Sequence, residues 1–266
     1  MTSPGLFRAD RLLAEASSTG PVLGLDTGST IASVALAIDG HIAGQAVRPV
    51  TSHGAALPGA VAELLDGAKL RAADLAAIAV GIGPGSFTGL RIGLSYAKGL
   101  VFASKAKIIG VPGLDALAIA ALESPAARPG VRVCAVTDAR KSEVYAALYE
   151  IVADGLEKVS QDVVMPLVRL ISHLDRYTIL AGDYQANDAA ALAGEKGLEV
   201  TVLEPSAMES RGCHIAALGA ASIARGKSDS ADALEPLYVR PPDVSGQPKP
   251  TEGVWSAERK NSFSSI

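Results

Sequence analysis

The chain has 266 residues, 48% hydrophobic and 20% charged, which excludes wholesale disorder and allows one or two domains with cores of their own. Its 24 basic and 28 acidic side chains leave a net charge of −4. That balance excludes a protein that grips nucleic acid alone through a broad basic face, but not a nucleic-acid role shared with a partner. Two cysteines, Cys134 and Cys213, in no metal-ligand spacing fit a reducing compartment. With no secretory leader and no apolar run of about 20 residues, the expected location is the cytoplasm, away from membranes.

In chain order, residues 1–20 read as a polar N-terminal extension with a short amphipathic stretch at Leu12 and Leu13. A first lobe is expected over 21–123. Val22 to Asp26 has the pattern of a buried strand, Thr27-Gly28-Ser29 of a turn, and Ile31 to Ile38 of a second strand. Asp39-Gly40 is a hairpin signal into a third strand, His41 to Val47. Leu57, Val61, Leu64, Leu65 and Ala68 recur at helical spacing. Leu75 to Ile82 is the next strand. The glycine-rich turn Gly83 to Gly89 then leads into a helix with Leu90, Leu94, Ala97 and Val101 on one face, followed by a strand at Ile108 to Val111 and a helix from Leu114 to Leu122.

Pro125, Pro129 and Gly130 mark a lobe boundary, and the pattern restarts in a second lobe over 124–225. Val131 to Thr137 is a strand ending at Asp138, Val144 to Ile151 pairs with it, and Asp154-Gly155 turns into a third strand, Leu156 to Val164. A helix at Leu167 to Leu174, a strand at Thr178 to Ala181, an Ala-rich helix and a strand at Glu199 to Leu203 follow. Ser206 and Glu209 form a capping box for a last helix, whose expected place includes packing back on the first lobe. Residues 226–244 form a C-terminal segment. Residues 245–266, with the lone Trp255, read as a disordered polar tail. Both halves share one order, so a duplicated α/β lobe with a ligand cleft between the copies is expected.

Three motifs could carry chemistry. Asp26-Thr27-Gly28-Ser29 fits an aspartic-protease carboxylate, a phosphate-binding hairpin or a plain β-turn. The protease needs a second such carboxylate, in a dimer of all-β chains, and this chain carries several helices. The glycine-rich turn could cradle an anion at a helix N-terminus. It lacks the Walker lysine, though, and its glycines miss the dinucleotide spacing by one residue. Gly89, Gly93 and Ala97 make a small-residue stripe, which fits either close packing on the preceding helix or a helix interface with another chain. His41, His53, His173 and His214 form no helical metal pair.

The run Gly83-Pro84-Gly85-Ser86-Phe87-Thr88-Gly89-Leu90-Arg91-Ile92-Gly93 resembles the TsaB (YeaZ) family of the tRNA threonylcarbamoyladenosine machinery. Leu25-Asp26-Thr27, Ser33 to Leu36, Ile109-Gly110-Val111, Asp138-Ala139-Arg140 with Glu143-Val144-Tyr145, and Glu235-Pro236-Leu237-Tyr238-Val239-Arg240 match it in order, covering about Pro21 to Arg240. Gly54 and Tyr184 depart from the family pattern. The resemblance implies the actin-like ATPase/sugar-kinase (ribonuclease H-like) duplicated two-lobe fold. It further implies a non-catalytic subunit that pairs with a TsaD-like transferase, alongside a TsaE-like ATPase, is a homodimer when alone, and meets tRNA through the complex. ATP and metal would be used by the partner subunits and no cofactor by this chain alone. The pairing surface it implies comprises His53, Leu57, Val61, Ser86, Phe87, Thr88, Gly89, Arg91, Ile92, Gly93, Tyr96 and Ala97. Asp26, Thr27 and Gly28 with Asp138 and Arg140 would be a vestigial phosphate site. The rival expectation is a nucleotide-dependent phosphotransferase of the same fold, using Asp26 or Asp138 beside a metal–nucleotide.

Overall fold

A computed structural model describes residues 6–49, 56–183, 185–203, 209 and 211–239. His53, Gly54, Tyr184, the Ser206 cap, Arg240 and the tail with Trp255 lie outside the described residues.

After a short helix α1 (Ala9–Glu15), the strands β1 (Val22–Asp26), β2 (Ile31–Ile38) and β3 (His41–Pro49) run antiparallel. Asp39 and Gly40 both take positive φ, 49° and 81°, as a two-residue hairpin turn demands. Next come α2 (Ala56–Gly67), β4 (Ala77–Gly83), α3 (Phe87–Ser104), β5 (Lys107–Pro112) and α4 (Gly113–Ala120). β4 lies parallel to β1 and β5 parallel to β4, giving the order β3-β2-β1-β4-β5.

The second half comprises β6 (Arg132–Asp138), β7 (Glu143–Val152), β8 (Gly155–Lys158), β9 (Val163–Pro166), α5 (Leu167–Leu170), β10 (Tyr177–Gly182), α6 (Gln185–Glu195), β11 (Glu199–Val202) and α7 (Arg211–Ala224). Its order, β8-β7-β6-β10-β11, repeats the first sheet strand for strand, with the same antiparallel and parallel pairings. This duplicated ribonuclease-H-like sheet is the two-lobe α/β fold of actin-like ATPases and sugar kinases. One expected strand differs: Leu156 to Val164 is two strands, not one. Ser160 Oγ accepts the Leu148 N–H at 2.7 Å and breaks the ladder, and β9 then pairs with the other end of β7.

Alternation along the strands sorts side chains into three cores. Leu23, Leu25, Val34, Leu36, Ile78 and Val80 point outward to α2 and α3. Val136, Val144, Ala146 and Leu180 belong to the outer core of the second lobe, with Ala189 and Ala193 of α6. The central core lies between the sheets, and there the two lobes exchange helices: α7 covers β1, β2, β4 and β5, while α4 packs on β6 and β10. Small residues allow this close approach. A Cβ on Gly24 would come within 2.7 Å of the Ala216 Cβ, and one on Gly219 would overlap Ala79. A buried polar network fastens α4 in place. Tyr149 Oη donates to Asp115 Oδ1 at 2.7 Å, and Lys158 Nζ lies 2.9 Å from the same oxygen and 2.6 Å from Asp162 Oδ1.

The N-terminal stretch is less polar in the fold than in the sequence. Leu6, Leu12, Leu13 and Ala16 are buried in the central core, and Leu6 bridges to Leu156 of β8. At the other end, Asp229 bridges to Ile108 and accepts the Gly110 N–H at 2.8 Å, and the Leu237 N–H donates to Ile82 O at 2.7 Å. The C-terminal segment therefore returns along the first lobe to the glycine-rich turn.

Candidate functional site

Asp26 ends β1, and its hairpin is plugged into the glycine-rich turn. The Ser86 N–H donates to Gly28 O at 2.8 Å, and Thr27 Oγ1 donates to Gly89 O at 2.7 Å. A Cβ on Gly85 would overlap the Gly28 carbonyl, and one on Gly89 or Gly93 would overlap Thr27. Those glycines therefore admit the chain's own hairpin: Gly89 and Gly93 of the small-residue stripe face Thr27, while Ala97 joins the outer core with residues of α2. Ser86 caps α3, its Oγ accepting the Gly89 N–H at 3.2 Å.

Asp26 is 2% exposed and its Oδ1 accepts the Gly28 N–H at 3.3 Å. Its other oxygen lies 2.9 Å from Nε of Arg211, the first residue of α7 and 1% exposed. The contact is an ion pair rather than an aligned hydrogen bond, because neither Oδ2 nor Nε makes one, and Arg211 Nη1 has no partner either. Nη2 lies 3.6 Å from where a Cβ on Gly28 would stand and 3.4 Å from that on Gly113, so the guanidinium fills the space between the hairpin and the start of α4. One turn on, burial and the neighbouring Arg211 charge push His214 down to about 4, leaving a neutral imidazole whose Nδ1 is unpaired. A metal–nucleotide would have to displace the guanidinium from Asp26, so these residues do not fit one. No motif announces Arg211, because an arginine beside a helix start reads as a surface residue.

The second lobe's counterpart is satisfied separately. Asp138 Oδ1 accepts the Arg140 N–H at 2.8 Å, and Arg140 Nε lies 3.5 Å from Oδ2. Asp183 Oδ2 accepts from Thr137 Oγ1 at 2.8 Å and from the Asp138 N–H at 3.0 Å. Arg140, Lys141 and Ser142 all take left-handed φ, 64°, 56° and 60°. Asp26, Thr27 and Gly28 thus form one self-contained hairpin and Asp138 and Arg140 another. Among the described residues, no group of three or more His, Cys, Asp or Glu side chains comes together to hold a metal ion. Nor is any described helix long and apolar enough to cross a membrane.

The residues expected at a pairing surface divide in two. Leu57, Val61, Gly89, Gly93 and Ala97 are buried inside this chain, on the helix faces that α2 and α3 turn to the sheet. Phe87 (43% exposed), Thr88 and Arg91 are exposed, and Ser86, Ile92 and Tyr96 half-buried. Thr88, Ile92, Ser95, Gly99 and Phe102 follow one another at steps of four and three, a single helix stripe. It ends on Phe102, 91% exposed. At its other end Tyr238 closes a cluster: its ring lies 5.3 Å from that of Phe87, its hydroxyl accepts from Arg91 Nε at 3.0 Å, and the Arg91 guanidinium sits 3.9 Å from the Phe87 ring centre. Sequence reasoning missed Phe102 and Tyr238 as site residues. Helical spacing from Ile92 could have found the first, and the Glu235 to Arg240 motif the second.

The chain resembles known proteins in sequence and in fold. A family model described as TsaD, tRNA N6-adenosine threonylcarbamoyltransferase, matches residues 48–225. The tRNA threonylcarbamoyladenosine biosynthesis protein TsaB of Escherichia coli K12 is 30% identical over 227 residues, covering 82% of this chain and 94% of that protein. The tRNA N6-adenosine threonylcarbamoyltransferase of Granulibacter bethesdensis is 40% identical over 120 residues, 39% of this chain and 32% of that protein. Among solved structures, YeaZ from Pseudomonas aeruginosa superposes with a TM-score of 0.67 at 28% identity, covering 82% of this chain and 99% of that one.

Proposed function

Because this chain belongs to the TsaB (YeaZ) family of tRNA threonylcarbamoyladenosine biosynthesis proteins, we propose that it is a non-catalytic subunit that docks and supports a TsaD-type transferase. The observation that carries this reading is the buried Asp26–Arg211 pair. Asp26 is the carboxylate that a phosphotransferase reading would use beside a metal–nucleotide, and here a guanidinium from α7 already lies against it. ATP and metal chemistry then belongs to partner subunits, a TsaE-type ATPase among them, and tRNA is met through the assembly.

The exposed face of α3 is the docking surface in this reading. Phe87, Ile92 and Phe102 give it an apolar stripe, and Gly99 gives a low point at which another helix can come close. The transferase is favoured as occupant because the chain matches the transferase family model and shares a stretch at 40% identity with one transferase. Partners built alike can meet through equivalent faces about a pseudo-twofold axis, and the same face would serve a homodimer when the chain is alone.

The test is threonylcarbamoyl transfer to tRNA in a mixture of the organism's own purified subunits, with and without this chain. Transfer that needs the chain, with no transfer by the chain alone, is the expected result. Equal transfer without it, or turnover of ATP by the isolated chain that Asp26→Ala abolishes, overturns the reading.

A further inference from the structure

We propose that the C-terminal segment 235–239 is part of the docking surface, with Tyr238 as a positioning residue that holds Phe87 and Arg91 in the arrangement the transferase subunit meets. This inference rests on the reading of α3 as the docking face.

Phe87 and Arg91 open α3 and are exposed, so nothing in the helix alone fixes their side chains. Tyr238 fixes both. Its ring packs tilted on Phe87 at 5.3 Å, and its hydroxyl accepts the Arg91 Nε–H at 3.0 Å. With Nε engaged, the guanidinium plane lies over the Phe87 ring at 3.9 Å, which leaves its remaining N–H groups for an acceptor outside the helix. The segment is anchored independently of these three side chains, through the Leu237 N–H to Ile82 O at 2.7 Å and through Leu234 packed on the outer core. A flexible arginine and an exposed phenylalanine are thereby ordered before any partner arrives, which lowers the entropic cost of association. An aromatic pair with an arginine, beside the Ile92–Phe102 stripe, is the composition that dominates binding energy at interfaces. The partner's matching surface is an apolar helix face with a carboxylate or carbonyl opposite Arg91.

The experiment compares Tyr238→Ala, Tyr238→Phe and Ile92→Asp in the full chain, by calorimetric titration against the purified transferase subunit, with melting curves of each variant alone. Tyr238→Ala is expected to weaken binding by about tenfold or more, and Tyr238→Phe, which keeps the ring, to recover most of it. Melting temperatures should stay near that of the parent, since Tyr238 lies on the surface and its segment keeps its other anchors. If Ile92→Asp abolishes binding while Tyr238→Ala binds like the parent, this inference fails and the α3 face stands. Should Ile92→Asp also bind like the parent, the docking face itself is wrong and both readings fall.

Discussion

Replacing Arg211 by methionine keeps a long apolar stem but removes the charge opposite Asp26. The carboxylate stays where it is, 2% exposed, with the Gly28 N–H at 3.3 Å as its remaining hydrogen bond. Breaking a buried pair from one side costs about 3–5 kcal/mol, because the charge left behind has neither water nor counter-ion. Against a total stability of about 5–15 kcal/mol that is a large fraction. In a chain of this size it corresponds to a fall in melting temperature of about 6–20 °C. The pair's net worth is smaller than this breakage cost, since Arg211 Nη1 is itself buried without a partner. Asp26→Asn in the same background removes the stranded charge and keeps the oxygen that accepts from Gly28. The double variant should therefore return to within about 2 kcal/mol of the parent. Urea unfolding of the parent, both single variants and the double variant closes the cycle. A second readout is His214, which should titrate above its present value of about 4 once the neighbouring guanidinium is gone. If Arg211→Met unfolds within about 1 kcal/mol of the parent, or the double variant is no better than the single, the pair does not neutralise a stranded charge and the argument from it collapses.

His214 also sets a pH dependence. Its folded-state value near 4 lies below the ordinary 6.5, so the unfolded chain takes up this proton first as pH falls. The stability it contributes is complete above the ordinary value and is lost between the two. About 2 kcal/mol should go between pH 7 and pH 5, and His214→Leu should flatten that difference in urea titrations at the two pH values. Gly93→Ala should destabilise by about 1–3 kcal/mol, because its Cβ overlaps Thr27 Oγ1. Gly99→Ala, which points into open space, should instead stabilise by up to about 1 kcal/mol, and thermal melts of the pair separate a packed stripe from an exposed one. Asp115→Ala removes an acceptor shared by Tyr149 Oη and Lys158 Nζ and should cost about 3 kcal/mol. Urea unfolding should read that loss, and a change below about 1 kcal/mol would count against it.

Much of the fold was legible because it is local. Leu23 and Leu25 alternate with Val22 and Gly24, Asp39-Gly40 dictates a hairpin, and the repeated order of elements exposes the duplication. What escaped depends on contacts between distant segments. Arg211 and Asp26 are far apart in sequence, and neither side chain reports the other. Gly89 and Gly93 announce a close neighbour but not which one, and the fold supplies Thr27 where a helix seemed as good. The Tyr149–Asp115–Lys158–Asp162 network joins α4, β7 and β8 through residues that each look ordinary alone. At the α3 surface, helical spacing does define two faces. The family motif crosses both, so Gly89 and Gly93 lie on the buried face while Thr88 and Arg91 lie on the exposed one.

The exchange of helices between the lobes bears on synthesis. The inner side of the first sheet, with Gly24, Ala35, Ala37 and Ala79, is closed by α7, the last described helix to leave the ribosome. Until Ala224 has emerged, the inner side of that sheet has α4 against β4 and β5, but its small-residue surface over β1 and β2 lacks the helix that closes it. The two halves, though built alike, therefore cannot mature one after the other as independent domains do. Nascent chains stopped before Arg211 would display an uncovered small-residue sheet surface, a state for chaperones to guard, and the released protein should lose both lobes in a single unfolding transition.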